Sequence, residues 1–242
     1  METEWFRTWF DTKYYHLLYS NRDEQEAQLF ITALLAFLNI SNNARVLDIA
    51  CGKGRHAIGL NEKGFNVVGI DLSKNSIEEA RKFETVDLKF HVRDIRNPFN
   101  CGQFDLALNL FTSFGYFETI DEHLTALLNT NRSLNQGGLF VFDYLNPEFV
   151  EANFQQSQEL SIENVSFSIS KKLIGKKIIK QIKVKDSINE FVFQECVQAF
   201  NFPELIQMVT SAGFEIRSTH GNYQLKPFSP DQPRIIIIAQ KK

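Results

Sequence analysis

The chain has 242 residues, which is long enough for one α/β domain with a sizeable hydrophobic core. Its formal net charge of −3 argues against a nucleic-acid partner, because binding to phosphates needs clustered Lys and Arg. The cysteines Cys51, Cys101 and Cys196 form no C-x-x-C pair, which predicts reduced thiols in a cytoplasmic protein without a metal site. The acidic first residues and the lack of a long apolar run predict neither a signal peptide nor a membrane span.

Helices are predicted for the first 40 residues. Positions 1–21 are rich in aromatic residues. From Asp23 onward, apolar residues such as Phe30 and Leu34 recur at spacings of three and four, which is the period of an amphipathic helix.

Strands and helices then alternate as far as residue 142. Helices are predicted over about 54–63, 74–83 and 121–134, between apolar runs that are typical of buried strands. This alternation predicts an α/β fold, with a parallel sheet and crossover helices on both of its faces.

The pattern changes after the fifth strand. Between residues 157 and 202, apolar and polar residues alternate, as around Phe167 and Ile169, which predicts three or so antiparallel strands in a small β insertion. The remaining predicted elements are a helix over 203–212 and strands over 214–216 and 234–239.

The most informative motif lies where the first strand runs into a glycine turn, from Asp48 to Gly54. Gly52, Gly54 and Ala57 also satisfy the G-x-G-x-x-G/A pattern of dinucleotide-binding proteins, so an NAD-dependent oxidoreductase is one alternative. Asp48 argues against it, because a carboxylate there repels a pyrophosphate and attracts an ammonium group. Asp71 ends the second strand about 20 residues later and suits the ribose hydroxyls of either cofactor.

Acidic residues end three successive strands, the third being Asp94, which precedes Ile95. Together with the glycine turn, they resemble the nucleoside-binding half of class I S-adenosylmethionine-dependent methyltransferases. The resemblance covers residues 45–142 and includes the L-N-Q-G-G turn at 134–138, where Gln136 replaces the family's proline. It implies a Rossmann-like, doubly wound sheet of seven strands that ends in a C-terminal antiparallel hairpin.

The resemblance also implies a cofactor, S-adenosylmethionine, and a set of residues that bind it. In that family the glycine loop holds the methionine part, the acid after the second strand binds the ribose, and the acid after the third flanks the adenine. Ala50 stands where the D-x-G-x-G-x-G form of the loop has its first glycine. The implied cofactor-binding residues are Asp48, Ala50, Gly52, Gly54, Asp71, Leu72, Asp94, Ile95, Asn109, Tyr19 and Arg22.

Within the family, residues 46–52 and 109–116 are most similar to glycine N-methyltransferase and to the aminosugar N-methyltransferases. Tyr19 and Arg22 belong to the same resemblance, and the guanidinium of Arg22 would pair with the cofactor's carboxylate. In related enzymes the N-terminal segment folds over the cofactor. We therefore expect residues 1–40 to form a helical lid, residues 157–202 to cover the acceptor site, and the acceptor to be a small molecule.

Methyl transfer from a sulfonium is an in-line displacement, so positioning and the exclusion of water supply much of the rate. An amine acceptor, our first choice before a hydroxyl, must lose a proton before it attacks. The candidates to take that proton are Tyr15, His16 and Tyr116. We expect His123 on a polar helical face, with a structural role. A non-catalytic nucleoside-binding module remains a second alternative.

Overall fold

A computed structural model describes residues 4–20 and 24–242, so Arg22 lies outside the described residues. The helices are α1 (Trp5–Trp9), α2 (Lys13–Leu18), α3 (Glu24–Leu38), α4 (Arg55–Glu62), α5 (Lys74–Ala80), α6 (Ile120–Ser133), α7 (Pro147–Ala152) and α8 (Phe202–Ser211). The strands are β1 (Arg45–Ile49), β2 (Asn66–Asp71), β3 (Leu88–Val92), β4 (Phe104–Asn109), β5 (Leu134–Leu145), β6 (Ser157–Ile162), β7 (Val165–Ile174), β8 (Lys177–Lys185), β9 (Glu190–Gln198), β10 (Phe214–His220) and β11 (Arg234–Lys241). Within the described ranges, no helix is both long enough and apolar enough to cross a membrane.

Local sequence sets the ends of the crossover helices. Helix α6 opens with a capping box, in which the Thr119 hydroxyl accepts from the Glu122 backbone at 3.2 Å and the Glu122 carboxylate accepts from the Thr119 backbone at 3.1 Å. Gly213 follows α8 with a φ of +88°, the left-handed conformation that ends many helices. The helix expected over 74–83 closes as a 3₁₀ turn at Arg81–Phe83.

Seven strands form one sheet in the order β10-β11-β5-β4-β1-β2-β3. Strands β1 to β5 pair in parallel, whereas β11 runs antiparallel to both β5 and β10. The predicted α/β fold, with its seven-stranded sheet and C-terminal antiparallel hairpin, is confirmed. The strand order reverses between β1 and β4, and ligands of open α/β sheets bind at the carboxyl ends of the strands beside such a reversal.

A second, antiparallel sheet contains β6, β7, β8 and β9 in that order. It has four strands where the sequence predicts three or so, because β6 is an edge strand that is mostly exposed and lacks a regular apolar alternation. One face of this sheet is buried. Phe167 and Ile182 pack there in one cluster with Trp9 and Tyr14 of the N-terminal helices, so the insertion and the N-terminus share a core.

His123 is fully buried, not on a polar helical face as expected. Its ring lies within 5.0 Å, centroid to centroid, of Phe114, Phe117 and Phe200, and its Nδ1 is 2.7 Å from the carbonyl oxygen of Thr119. Phe114 and Phe117 belong to the loop before α6, and Phe200 lies 77 residues after His123. The periodicity of the helix itself carries no information about such contacts.

Candidate active site

A cavity of about 510 Å³ lies at the carboxyl ends of β1, β2 and β4. This volume is within the range of small-molecule sites. Its walls come from the glycine loop after β1 with the start of α4, from the end of β2 with the start of α5, from the loop after β4, from the N-terminal helices α1 and α2 with the residues that follow them, and from strand β9. The cavity therefore lies between the large sheet, the N-terminal helices and the insertion.

The glycine loop exposes its backbone to this cavity. Ala50, Gly52 and Gly54 have φ values of +59°, +57° and +86°, so every second residue is left-handed. A Cβ at Gly52 would meet nothing within 4 Å, which leaves the backbone open to a ligand, whereas a Cβ at Gly54 would lie 2.6 Å from the Phe90 ring. Ala50 and Gly52 line the cavity, while Gly54 is not among the lining residues and is required by packing.

Asp48 is buried at the end of β1, and its Oδ2 has no hydrogen-bond partner. Burial raises the pKa of this carboxyl to about 7; the Asp71 carboxylate adds to the rise, while Arg55 and the backbone N–H of Ala57 oppose it. A buried oxygen that accepts no hydrogen bond destabilises the folded protein. The Asp48 carboxyl therefore suits a ligand that donates a hydrogen bond and carries positive charge.

Asp71 holds the glycine loop against β2. Its Oδ2 accepts from the backbone N–H of Gly52 at 2.8 Å, and its Oδ1 accepts from that of Ser73 at 2.7 Å. Burial raises its pKa, and these backbone donors oppose the rise. Because each carboxylate oxygen can accept two hydrogen bonds, Asp71 keeps capacity for the hydroxyls of a ligand.

Several expected cofactor residues do not line the cavity. Asp94 binds the guanidinium groups of Arg7 at 2.9 Å and Arg96 at 2.7 Å, so two cations already neutralise the acid expected beside the adenine. Ile95 and Asn109 line a separate interior cavity of about 10 Å³, and Leu72 packs against the core of the large sheet.

Aromatic residues in and beside the N-terminal helices form another part of the wall. Ring centroids of Trp5 and Phe10 lie 5.4 and 5.3 Å from that of Tyr116, and Phe10 lies 4.9 Å from Tyr15. The Tyr116 hydroxyl donates to the carbonyl of Thr112. Tyr15, Tyr19 and Tyr116, expected from the sequence at the site, all line the cavity.

Two histidines line the cavity with a buried Nε2 that has no hydrogen-bond partner, His16 and His56. Burial lowers the pKa of His16, and the nearby Lys53 ammonium adds to this effect. The pKa of His56 falls further, to about 3, because the ring is buried against Phe111 beside the Arg55 guanidinium. Both imidazoles are therefore neutral at neutral pH.

Glu195, which lines the cavity from β9, is not among the residues predicted from the sequence. Its Oε1 accepts from the indole N–H of Trp9 at 2.8 Å and from the hydroxyl of Tyr19 at 2.7 Å, and its Oε2 lies 3.5 Å from the Lys180 ammonium. Lys180 and Glu195 are cross-strand neighbours. One feature of the sequence could have indicated it: Lys180 and Glu195 are opposite charges at positions that alternate with the outward-facing residues of β8 and β9.

The loop after β4 is also fixed by residues that were not predicted from the sequence. Phe111 and Thr112 are left-handed, with φ of +59° and +61°. The backbone N–H of Phe111 donates to the fully buried Asp143 carboxylate at 2.7 Å, and Arg234 bridges that carboxylate and the Thr112 hydroxyl, each at 2.8 Å. The buried ion pair between Asp143 and Arg234 thus stabilises the left-handed backbone of Phe111 and Thr112, a conformation that is unfavourable for residues other than glycine.

A family model described as a methyltransferase domain matches residues 20–219. The chain belongs to this methyltransferase family. It is a class I S-adenosylmethionine-dependent methyltransferase, and S-adenosylmethionine is its cofactor. The NAD-dependent oxidoreductase and the non-catalytic binding module are therefore wrong.

Three comparisons illustrate the range of its relatives. YqeM of Bacillus subtilis (strain 168), named as a methyltransferase, is 27% identical over 222 residues, which span 84% of this methyltransferase and 86% of YqeM. Glycine N-methyltransferase of Oryctolagus cuniculus is 30% identical over 152 residues, 55% of this chain and 51% of that enzyme. The structure of CalS10, an amino pentose methyltransferase of Micromonospora echinaspora, shares the fold with a TM-score of 0.71 at 21% identity, covering 96% of this chain and 98% of CalS10.

Proposed function

We propose that this methyltransferase transfers a methyl group to a nitrogen or oxygen of a small molecule, with an amine as the first choice. The observation that carries the proposal is the cavity, whose volume and aromatic wall suit a small acceptor beside the cofactor. The names of two similar proteins, glycine N-methyltransferase and an amino pentose methyltransferase, support the same class of acceptor. A cytoplasmic location and the absence of a nucleic-acid partner remain predictions.

The glycine-loop side of the cavity is the proposed cofactor end. The unpartnered Oδ2 of Asp48 would accept from the cofactor's ammonium group, and Asp71 would accept from the ribose hydroxyls. The open backbone at Gly52 allows a ligand to lie against it. S-adenosylmethionine supplies a methyl group on a positively charged sulfur, which is already an activated leaving group.

The N-terminal helices and the insertion are proposed to enclose the acceptor, as a lid over 1–40 and a cover over 157–202. One cavity is lined by Trp5, Phe10 and Tyr15 of the lid and by Glu195 and Val197 of the cover. This shared lining supports the arrangement. Enclosure would exclude water and hold the acceptor in contact with the methyl group.

His16 is the proposed proton acceptor. Its Nε2 faces no hydrogen-bond partner, and its lowered pKa keeps it neutral and able to accept a proton near neutral pH. His56 shares these features, but a pKa of about 3 makes it a much weaker base. The hydroxyl of Tyr116 already donates to a backbone carbonyl, so it is the less suitable candidate.

Methyl transfer from labelled S-adenosylmethionine to a panel of small amines and alcohols tests the proposal. We expect at least one amine to be methylated, and we expect a variant without residues 1 to 20 to bind S-adenosylhomocysteine yet turn over much more slowly. Transfer by the truncated protein at the full rate would contradict the lid. Labelling of RNA or protein alone would contradict the small-molecule acceptor.

A further inference from the structure

We propose that Glu195 anchors the acceptor as an amine, by accepting a hydrogen bond from its N–H. The inference rests on the proposed function and specifies it further, since it assigns the acceptor class to one side chain. Glu195 lines the cavity from β9 of the insertion, and the glycine loop that is proposed to hold the cofactor lines the same cavity.

The carboxylate of Glu195 is oriented but not saturated. Trp9 and Tyr19 both donate to its Oε1, at 2.8 and 2.7 Å, which fixes the plane of the group. The Lys180 ammonium is 3.5 Å from Oε2, longer than a strong charge-assisted hydrogen bond. A carboxylate has about four acceptor positions, so Oε2 retains capacity for a further donor.

The surroundings of Glu195 favour an N–H donor over a group that cannot donate a hydrogen bond. Its side chain is only 15% exposed, and a carboxylate in such a poorly solvated position attracts N–H donors strongly. The neighbouring wall consists of aromatic rings, among them Trp5, Phe10 and Tyr15, whose faces attract cations.

An N–H held by Glu195 leaves the nitrogen lone pair available to attack. The acceptor arrives as an ammonium ion and first loses one proton to a base, for which His16 is the proposed group. The nitrogen then forms a bond to the methyl carbon while the carbon–sulfur bond breaks, and that electron pair remains on sulfur. The positive charge thus passes from sulfur to the nitrogen beside Glu195, whose carboxylate stabilises it.

Glu195 also fastens the N-terminal helices through Trp9 and Tyr19, so the test must separate anchoring from a purely structural role. Glu195→Gln keeps an oxygen that accepts from both donors and removes the charge. Glu195→Asp keeps the charge on a shorter side chain. Glu190→Gln is the matched control, because Glu190 lies on the same strand, is exposed and forms an exposed ion pair with Lys185.

The experiment measures methyl transfer by the full chain to two pairs of probes that differ in one group, cyclohexylamine against cyclohexanol and 3-amino-3-deoxyglucose against glucose. We expect the wild type to favour the amines. Glu195→Gln should lower kcat/KM for amines about tenfold, mainly through KM, because a charge-assisted hydrogen bond becomes a neutral one. Glu195→Asp should restore part of this loss, and Glu190→Gln should change it less than twofold.

Equal losses on amines and alcohols in Glu195→Gln would overturn the inference, as would a wild type that methylates no amine probe. Transfer to alcohols alone, with S-adenosylhomocysteine still bound, would refute the anchoring role of Glu195 and leave small-molecule methylation standing. Unfolding temperatures of the three variants identify any loss that comes from misfolding, and if Glu195→Gln does not fold, the amine selectivity of Glu195→Asp decides.

Discussion

Replacing Asp48 by Asn should remove the pH dependence of cofactor binding. In the protein alone the pKa of this buried carboxyl is about 7, so near neutral pH about half of the molecules carry a proton there. The ammonium group of S-adenosylhomocysteine favours the ionised form, so binding below that pH must displace the proton. Affinity should therefore fall as the pH is lowered.

The magnitude follows from this pKa. If the pKa in the complex lies well below 6, lowering the pH from about 8 to about 6 should weaken binding about tenfold, or about 1.4 kcal/mol. At about pH 8, where Asp48 is ionised, Asp48→Asn should weaken binding by about 1.5–3 kcal/mol, the usual value of a hydrogen bond to a charged group.

Calorimetric titration of S-adenosylhomocysteine across this pH range measures both effects. The matched ligand is 5′-methylthioadenosine, which lacks the amino-acid part and should bind the wild type and Asp48→Asn alike, without the pH dependence. An unchanged pH profile in the variant would refute the reasoning. Equal losses for both ligands would mean that Asp48 acts only on the conformation of the loop.

Three further changes test other parts of the site. Asp71→Ala should weaken both S-adenosylhomocysteine and 5′-methylthioadenosine by about 1.5–3 kcal/mol, because both carry the ribose, and the former more, because Asp71 also holds the glycine loop. Calorimetry with unchanged affinity would refute the assignment. Ala50→Gly should stabilise the protein by about 1 kcal/mol, since the φ of +59° strains alanine and not glycine, and an unfolding temperature that falls would contradict this. Asp11→Ala removes the hydrogen bonds that Ser73 and Asn75 donate to the Asp11 carboxylate, which connect the N-terminal helices to α5. The substitution should speed release of S-adenosylhomocysteine several-fold in stopped-flow measurements. An unchanged release rate would mean that these bonds do not hold the helices closed.

The parts of the site that the sequence predicts well are those fixed by neighbours in the chain. Asp48, the glycine loop and Asp71 lie at the ends of strands whose apolar runs are unambiguous, and a parallel sheet brings those ends to one edge. Ala50 is explained in the same way. The family's motif has a glycine at this position, and Ala50 adopts the left-handed conformation that favours glycine.

The parts that the sequence did not predict depend on contacts between distant segments. Asp94 matched the pattern of strand-end acids, but Arg7 reaches it across 87 residues and occupies its carboxylate. Glu195 faces the cavity only because the register of two antiparallel strands sets it beside Lys180 and under Trp9. Neither the pairing of distant charges nor the docking of the insertion on the N-terminal helices is visible in local periodicity.

A crystal structure of the protein with S-adenosylhomocysteine bound is the decisive measurement for the proposed site. We predict the ligand's amino group within hydrogen-bond distance of the Asp48 carboxylate, its ribose hydroxyls on Asp71, and its sulfur facing the wall that contains Tyr15 and Glu195. An amino group held elsewhere, or a sulfur that points away from that wall, would contradict it.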